Sequence, residues 1–261
     1  MTSLPTTALL ALTPQRGLLP LRPYAFPWAA ALHDALVKAS DDGQGRGPAR
    51  CFSGRDDLGQ PLENHHHAFL LPLSLESDDA VDHFLIHAQM GFDPPARAAL
   101  MRVNRLWVDS SSPTLHVDLM ALGLRDDFAR RVPALGRSNS WTTFTPFVPP
   151  RHPKPRGRNT LEEQIQEELV LLGLPRAMRV EIETEGQGFQ PAADMGVPSS
   201  SASPFVPAKQ WRTFRLQRDA VAGKPPVHMA YGLRLTFDEM VSGPIAIGYG
   251  AHFGLGELIP A

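Results

Sequence analysis

The sequence contains a single cysteine, Cys51, among 261 residues. One cysteine excludes an internal disulfide and a zinc site built from cysteine thiolates, and we expect a reducing, cytoplasmic location. The sequence also lacks any run near the roughly 18 apolar residues of a membrane-spanning helix. The apolar stretch at residues 8–12 is short and has no basic residue before it, which argues against a signal peptide. We therefore expect no membrane association.

Net charge is small as well, at −2, so no global field draws the chain onto nucleic acid. The charge is nevertheless segregated. Residues 125–158 carry eight Arg or Lys against two acids, and residues 204–226 carry five against one. Segregation of this kind is what binding to a phosphate backbone requires, although an arginine-rich solvated linker has the same composition. The candidate RNA-binding side chains are Arg137, Arg151, His152, Lys154, Arg156, Arg158, Lys209, Arg212 and Arg215.

Apolar residues make up 43% of the chain, enough for a folded core, and 26 prolines and 21 glycines imply many loops. In the first half, hydrophobic periodicity predicts a β-α-β-β-α-β order, typical of a ferredoxin-like unit. The stripe of Trp28, Leu32 and Leu36 marks the first helix, and residues 40–64 are predicted to form a long loop. The predicted strands are 7–12, 68–73, 82–88 and 114–122, and the predicted helices are 28–39 and 94–106.

In the second half, residues 123–158 are predicted to connect the units, and a capping box of Thr160 and Glu163 begins a helix that Gly173 ends. Strands are predicted at 178–184, 210–218 and 229–237, with a serine-rich loop at 186–207. A second ferredoxin-like unit follows from this order. The predicted class is therefore α+β, with two ferredoxin-like units in tandem (1–123 and 124–261), each an antiparallel sheet with helices on one face.

Glycines crowd residues 242–256 near the carboxyl end. A dinucleotide-binding fingerprint is excluded, because it needs a following helix and strand. Glycine permits positive φ and a close approach of the backbone to phosphates, which indicates an RNA-contacting loop; the alternative is a glycine-rich terminal hairpin. The candidate contacts in this segment are Gly248, Gly250, His252, Gly254 and Gly256.

Histidines supply the candidate chemistry. His65, His66 and His67 precede a predicted strand, and His33 lies at the edge of the apolar stripe of the first helix. Cleaving RNA without a metal needs a base for the 2′-hydroxyl, an acid for the leaving 5′-oxygen and a cation for the transition state. Histidine suits the first two roles, because its unperturbed pKa is about 6.5. Lys209 or Arg212 could provide the cation.

Two other interpretations of these histidines stay open. A single helix histidine is most often structural, and a histidine run can be a solvated loop or part of a metal site. His65 and His67 alternate along the chain and could both be ligands. Two imidazoles are too few for zinc, however, and no nearby cysteine or H-E-x-x-H pattern completes a shell. We therefore predict no metal and no cofactor.

Several motifs in order resemble the repeat-RNA endoribonucleases of CRISPR systems, members of the RAMP superfamily, and most of all the subunit of type I-U (also called I-G) systems. They are SGRDDLGQPL at 53–62 followed by His65 and His67, Asp82-His83 with Gly91-Phe92, Ser140-Trp141, TPFVPPRHPK at 145–154, and GPIAIG…HFGLG at 243–256.

This resemblance implies two ferredoxin-like units, a glycine-rich loop that contacts RNA, and metal-independent cleavage within each repeat. The products would carry a 2′,3′-cyclic phosphate or related end and a 5′-hydroxyl. The implied partners are repeat RNA, the mature crRNA and other CRISPR effector subunits. Members of this type usually carry a further amino-terminal portion, for which this chain has no room, so we expect a standalone nuclease.

Residues 32–37, LHDALV, also resemble the first helix of the type I-F repeat endoribonuclease, which carries the catalytic histidine. That match implies His33 as the general base, with His67 and His65 as rivals from the longer motif. The resulting expectation is a precursor-crRNA endoribonuclease. The alternatives are a non-catalytic crRNA-binding subunit, a metal-dependent hydrolase that uses the histidine run, and a globular protein with no role on nucleic acid.

Overall fold

The structure is a computed structural model that describes residues 3–41, 43, 47–56, 58–62, 66–77, 79–110, 112–157, 159–184, 190–191, 211–217 and 224–261. The chain divides into two compact units. The first unit comprises Met1–Val132 together with His252–Gly254, and the second comprises Pro133–Ala251 with Leu255–Ala261.

The first unit has a β-α-β-β-α-β backbone with small additions. Its elements are β1 (Thr7–Pro14), α1 (Ala25–Ser40), α2 (Arg50–Ser53), β2 (Phe69–Leu73), β3 (His83–His87), α3 (Pro94–Arg102), β4 (Arg105–Leu106), β5 (Leu115–Gly123) and α4 (Arg125–Phe128), with a 3-10 turn at Arg22–Tyr24. The sheet order is β2-β3-β1-β5-β4, and every pairing is antiparallel. Apart from the short β4, this is the strand order of a ferredoxin-like unit, as the sequence predicted.

Helix α1 begins three residues before the predicted start, with Pro27 in its first turn, where a missing amide hydrogen costs nothing. Trp28, Leu32 and Leu36 are buried, as their spacing predicted, in a core shared with the sheet and α3. Since α1 is anchored along this stripe, a residue at the stripe's edge such as His33 has a fixed position.

Two predictions about the first unit are wrong. The helix predicted at 94–106, which is α3, ends at Arg102. Val103 turns to ψ 106°, and residues 105–106 then pair with β5. The predicted loop at 40–64 contains the helix α2, which buries Cys51 and Phe52. A four-residue helix carries too little periodicity to be recognised in sequence.

The second unit repeats the same order of strands. Its elements are β6 (Arg137–Thr143), α5 (Leu161–Leu171), β7 (Arg179–Glu183), β8 (Gln190–Pro191), β9 (Gly232–Ser242), β10 (Ile245–Ala246) and β11 (Glu257–Pro260), with 3-10 turns at Pro133–Leu135, Trp211–Thr213 and Ala251–Phe253. The sheet order is β10-β11-β6-β9-β7-β8. The central β11-β6-β9-β7 has the ferredoxin-like arrangement, which confirms two such units.

Between β9 and β11, the place of a second ferredoxin-like helix is taken by the glycine-rich segment. Strands β10 and β11 pair antiparallel, with Ile245 opposite Leu258. The segment therefore includes a hairpin, the plainer of the two interpretations from sequence. Its 3-10 turn lies between the two hairpin strands and places His252 and Phe253 in the first unit.

Other predictions for the second half have mixed outcomes. The capping box is confirmed in part, since the Thr160 hydroxyl accepts the Glu163 amide at 3.1 Å. The predicted connection at 123–158 is wrong, because it contains the central strand β6. A strand at 210–218 is also wrong for its described part, where residues 211–213 form a 3-10 turn. The predicted loop at 186–207 lies outside the described residues, except for β8. No helix in the described ranges is long and apolar enough to cross a membrane.

Candidate active site

The imidazole of His33 is held between two acceptors. Its Nε2 donates to the Phe52 carbonyl at 2.9 Å, and its Nδ1 lies 3.0 Å from Oδ1 of Asp34. The side chain is 20% exposed, so it is reachable but constrained. Both ring nitrogens therefore face oxygen atoms of the protein, and these two contacts hold the ring in one orientation.

The Phe52 carbonyl is placed by the short helix α2 and its exit. Gly54 ends the helix at φ +65°, and its carbonyl accepts the Leu62 amide at 2.7 Å. The Ala68 amide donates to the Cys51 carbonyl at 2.7 Å, which brings the start of β2 alongside α2. The Phe52 carbonyl, which holds His33, and Ala68, which follows His67, thus lie in one hydrogen-bonded corner of the first unit.

The thiol of Cys51 is not the reactive group of this corner. Burial, and then the nearby carboxylate of Asp93, raise its pKa to about 12. The thiol therefore stays protonated near neutral pH, and its side chain packs in the core.

Three aromatic rings form a stack at the start of β2. The rings of His67 and His252 lie 3.5 Å apart between centroids at an interplanar angle of 17°, and those of His252 and Phe69 lie 4.2 Å apart at 20°. Nδ1 of His252 lies 3.2 Å from the Ala68 carbonyl, to which it donates. We call Phe69, His252 and His67 the ring stack.

The neighbouring residue, Phe253, extends the contacts to α1. Its ring meets His33 edge-on at 5.2 Å and Phe26 at 5.8 Å. Gly254 follows at φ +79°, and a Cβ there would lie 2.2 Å from Cδ of Pro72, so only glycine fits against β2.

Through these contacts the structure brings together His33, His67 and His252, which we call the histidine cluster. The first two were predicted as catalytic residues and the third as an RNA contact. His65, the remaining catalytic candidate, lies outside the described residues. Among the side chains that the structure describes, no group of three His, Cys, Asp or Glu is arranged to hold a metal ion.

The Asp82-His83 pair of the sequence motif lies elsewhere, within the first sheet. Burial alone would raise the pKa of Asp82, but the amides of Leu75 and Glu76 and the ring of His83 donate to its carboxylate and hold the pKa below its usual value. The carboxylate thus holds the loop before β3 in place through these hydrogen bonds. The structure gives this motif a structural explanation.

His87 is a second histidine of the sheet. Its Nδ1 lies 3.0 Å from the Thr7 hydroxyl, and burial together with the charge of Arg125 lowers its pKa to about 4. The ring is therefore neutral at physiological pH and is not a member of the histidine cluster.

A second candidate surface is the basic loop, residues 151–157, in the second unit. Buried Gln164 holds it at both ends: its Oε1 accepts the Arg151 amide at 3.1 Å, and its Nε2 donates to the Asn159 carbonyl at 3.2 Å. The Arg151 side chain also pairs with Glu167 on α5. Four of its exposed side chains are basic or imidazole groups: Arg151, His152, Lys154 and Arg156.

The other predicted RNA contacts are distributed over the second unit. Arg137 is exposed at the start of β6, and Arg212 and Arg215 are exposed in the segment at 211–217. Arg158 and Lys209 lie outside the described residues.

The remaining predicted contacts, the glycines of the hairpin segment, have partners within the protein. The Gly248 amide donates to Oε2 of Glu168, Gly250 has φ +74°, and a Cβ on Gly256 would lie 1.9 Å from the Ile247 carbonyl oxygen. Close packing within the protein therefore accounts for Gly256, and contact with RNA stays a prediction for this segment.

Sequence reasoning missed two groups that complete the histidine cluster. Phe253 and Phe69 frame the rings; Phe253 was noted only within the HFGLG stretch and Phe69 only within the predicted strand at 68–73. The signal that could have found Phe253 was its position next to His252 between glycines, in the HFGLG stretch.

No family model matches the chain. No curated protein matches it either. Among solved structures, one described as "CRISPR associated protein Cas6" is similar, with a TM-score of 0.42 and 8% sequence identity over 98% of this chain and 99% of that one.

Proposed function

We propose that the protein is an endoribonuclease that cleaves the repeat RNA of CRISPR transcripts by histidine acid–base chemistry, without a metal. The histidine cluster is the observation that carries this proposal. Three imidazoles from distant parts of the chain converge on one corner of the first unit. The rings of His67 and His252 stack with 3.5 Å between centroids, and the ring of His33 meets that of Phe253, the residue after His252, at 5.2 Å. The choice of repeat RNA as substrate rests on the sequence resemblance.

In the proposed reaction, the 2′-oxygen attacks the adjacent phosphorus, the bond to the 5′-oxygen breaks, and the products are a 2′,3′-cyclic phosphate and a 5′-hydroxyl. The cluster would supply the base and the acid, each contributing about 10² to 10⁴ in rate. His33, His67 and His65 are the sequence candidates for these roles. The contacts of both His33 ring nitrogens fix the orientation of this ring within the cluster.

RNA binding is proposed for the basic loop together with Arg137, Arg212, Arg215 and the two cations outside the described residues. The exposed cations of the basic loop support this proposal, because a loop tied at both ends to Gln164 loses little conformational entropy when it binds phosphates. Its arginines can make bidentate phosphate contacts. Other effector subunits are proposed partners on the sequence resemblance alone.

The direct test uses the full chain in molar excess over repeat RNA in EDTA. We expect cleavage with a 5′-hydroxyl product, and no cleavage of an RNA with a single 2′-deoxy substitution at the cut site, because the nucleophile is then missing. Persistence of intact RNA at enzyme excess would overturn the proposal. His33→Ala, His67→Ala and His65→Ala should each slow cleavage, whereas His116→Ala, on β5 outside the cluster, should not.

A second function is favoured by one observation: both ring nitrogens of His33 are engaged within the protein. A subunit that binds crRNA without cutting it would need His33 only for structure. In that case the wild type binds repeat RNA, never cleaves it, and His67→Ala leaves affinity unchanged. Activity that depends on a stoichiometric metal and disappears in EDTA would instead identify a metal-dependent hydrolase.

A further inference from the structure

We propose that His252 is the general base and His67 the general acid of the cleavage reaction, an assignment that rests on the proposed function. His252 comes from the glycine-rich segment, which the sequence marked only as an RNA contact. The ring stack places its imidazole 3.5 Å from that of His67. Within the histidine cluster, these two rings are the ones in direct contact with each other.

The hydrogen bond to Ala68 selects His252 as the base. A carbonyl oxygen can only accept, so Nδ1 of His252 carries the hydrogen of the 3.2 Å contact. In the neutral ring, the lone pair then resides on Nε2. A neutral imidazole whose tautomer is fixed by a backbone carbonyl is the form that a general base requires.

The stacking geometry divides the protons between the two rings. Two imidazolium rings at a centroid distance of 3.5 Å would repel each other, so the pair favours a single proton. When His252 is neutral, His67 can hold that proton. Such a singly protonated pair presents one acid and one base side by side.

In the proposed reaction, one proton moves to His252 and another leaves His67. Nε2 of His252 takes the proton of the 2′-hydroxyl, and the oxygen electron pair forms the bond to phosphorus. The bond from phosphorus to the 5′-oxygen breaks, its electron pair stays on that oxygen, and His67 donates a proton to it. His252 has then gained one proton and His67 has lost one, and proton exchange with water restores the starting state of both rings.

His33 and Phe253 complete this arrangement as positioning residues. The Phe253 ring packs against His33 on α1, and the hydrogen bond from His33 to the Phe52 carbonyl fixes the position of the His33 ring in this contact. Because Phe253 follows His252 directly, the same contact limits how far the base can move.

The test compares two variants on two substrates at saturating enzyme. His252→Asn keeps an amide hydrogen that can donate to Ala68 but cannot accept a proton. His67→Phe keeps an aromatic ring against His252 but cannot donate one. The first substrate is ordinary repeat RNA, and the second carries sulfur in place of the 5′ bridging oxygen at the cut site. A thiolate leaves without prior protonation, since a thiol pKa is about 8.5.

On ordinary RNA, both variants should cleave about 100-fold more slowly or worse, even at saturating enzyme. On the sulfur substrate, His67→Phe should recover to within about 10-fold of the wild type, and His252→Asn should stay slow. A purely structural role for either residue predicts no such difference between the two substrates.

Each other outcome counts against the assignment. Recovery of His252→Asn in place of His67→Phe reverses the roles. Wild-type cleavage of ordinary RNA by His252→Asn removes His252 from the reaction while the proposed function stands. Absence of cleavage by the wild type itself defeats the proposed function and this inference together.

Discussion

The backbone amide of Gly248 donates a 2.9 Å hydrogen bond to Oε2 of Glu168, a side chain that is 9% exposed on α5. This contact ties the glycine-rich segment to the helix of its own unit. It also explains why an acidic residue lies on the buried side of α5, since a buried carboxylate requires a donor.

Replacing Glu168 should therefore destabilise the second unit. Glu168→Ala leaves the Gly248 amide without this acceptor, and we expect the free energy of unfolding to fall by about 1–3 kcal/mol. Glu168→Gln keeps an acceptor oxygen and should cost less. Guanidinium unfolding checks both, with Glu162→Ala as the control on the same helix. Equal midpoints for wild type and Glu168→Ala would contradict the role of this contact.

Salt dependence should reveal which cations meet phosphate. If Lys154 of the basic loop contacts the RNA backbone, Lys154→Ala should lower the slope of log affinity against log salt by about 0.7. Lys38→Ala, exposed on α1 of the first unit, should leave the slope unchanged. Filter binding at several salt concentrations measures both, and identical slopes for the two variants would remove Lys154 from the interface.

Gly254 should be intolerant of any side chain. Gly254→Ala places a Cβ 2.2 Å from Pro72, so residues 252–254 must move and the ring stack must open. We expect a lower melting temperature and slower RNA cleavage. Gly59→Ala is the matched control, because Gly59 also has positive φ (+76°) but faces open space. If the two variants cleave RNA at the same rate, close packing of Gly254 against Pro72 is not needed for cleavage.

Stability should depend on pH through His87. Its pKa is about 4 in the folded protein against 6.5 for an ordinary histidine. Above pH 6.5 the ring is neutral in both states, and its contribution to the free energy of unfolding is fully present. Between pH 6.5 and 4 only the unfolded chain gains the proton, and the free energy of unfolding falls by up to about 1.4 kcal/mol per pH unit. His87→Asn should remove this part of the slope, whereas exposed His228→Asn should keep it. Urea unfolding at several pH values across this window tests the prediction.

The first unit could be predicted well from sequence because its elements carry strong local signals. Trp28, Leu32 and Leu36 give helical spacing, and β2 and β3 are nearly continuous apolar runs. The second unit was harder. Strand β6 reads RSNSWTT, and only Trp141 and Thr143 of it are buried, so nothing local separates it from a polar linker.

The opposite error occurred at residues 211–217. The aromatic residues and threonine there favour a strand by propensity, but Trp211 is instead buried in a 3-10 turn, where its Nε1 donates to Glu183 at 3.1 Å. Long-range hydrogen bonding overrides such weak preferences.

For the site, sequence could nominate His33 and His67 but could not pair either with a partner. The contacts that define the histidine cluster join residues near positions 33 and 67 to residues 252–253. Such pairings depend on the strand order of the fold, and no periodicity along the chain encodes them. The hydrogen bond from His252 to Ala68, which fixes a tautomer, is likewise visible only in three dimensions.

The ring stack has a consequence for synthesis on the ribosome. Translation proceeds from the amino terminus, so a nascent chain exposes His33 and His67 long before His252 exists. Until the final segment emerges, neither early histidine has the neighbour that the stack or the Phe253 contact provides. Under the proposed mechanism, products of premature termination should therefore be unable to cleave RNA, because they lack His252.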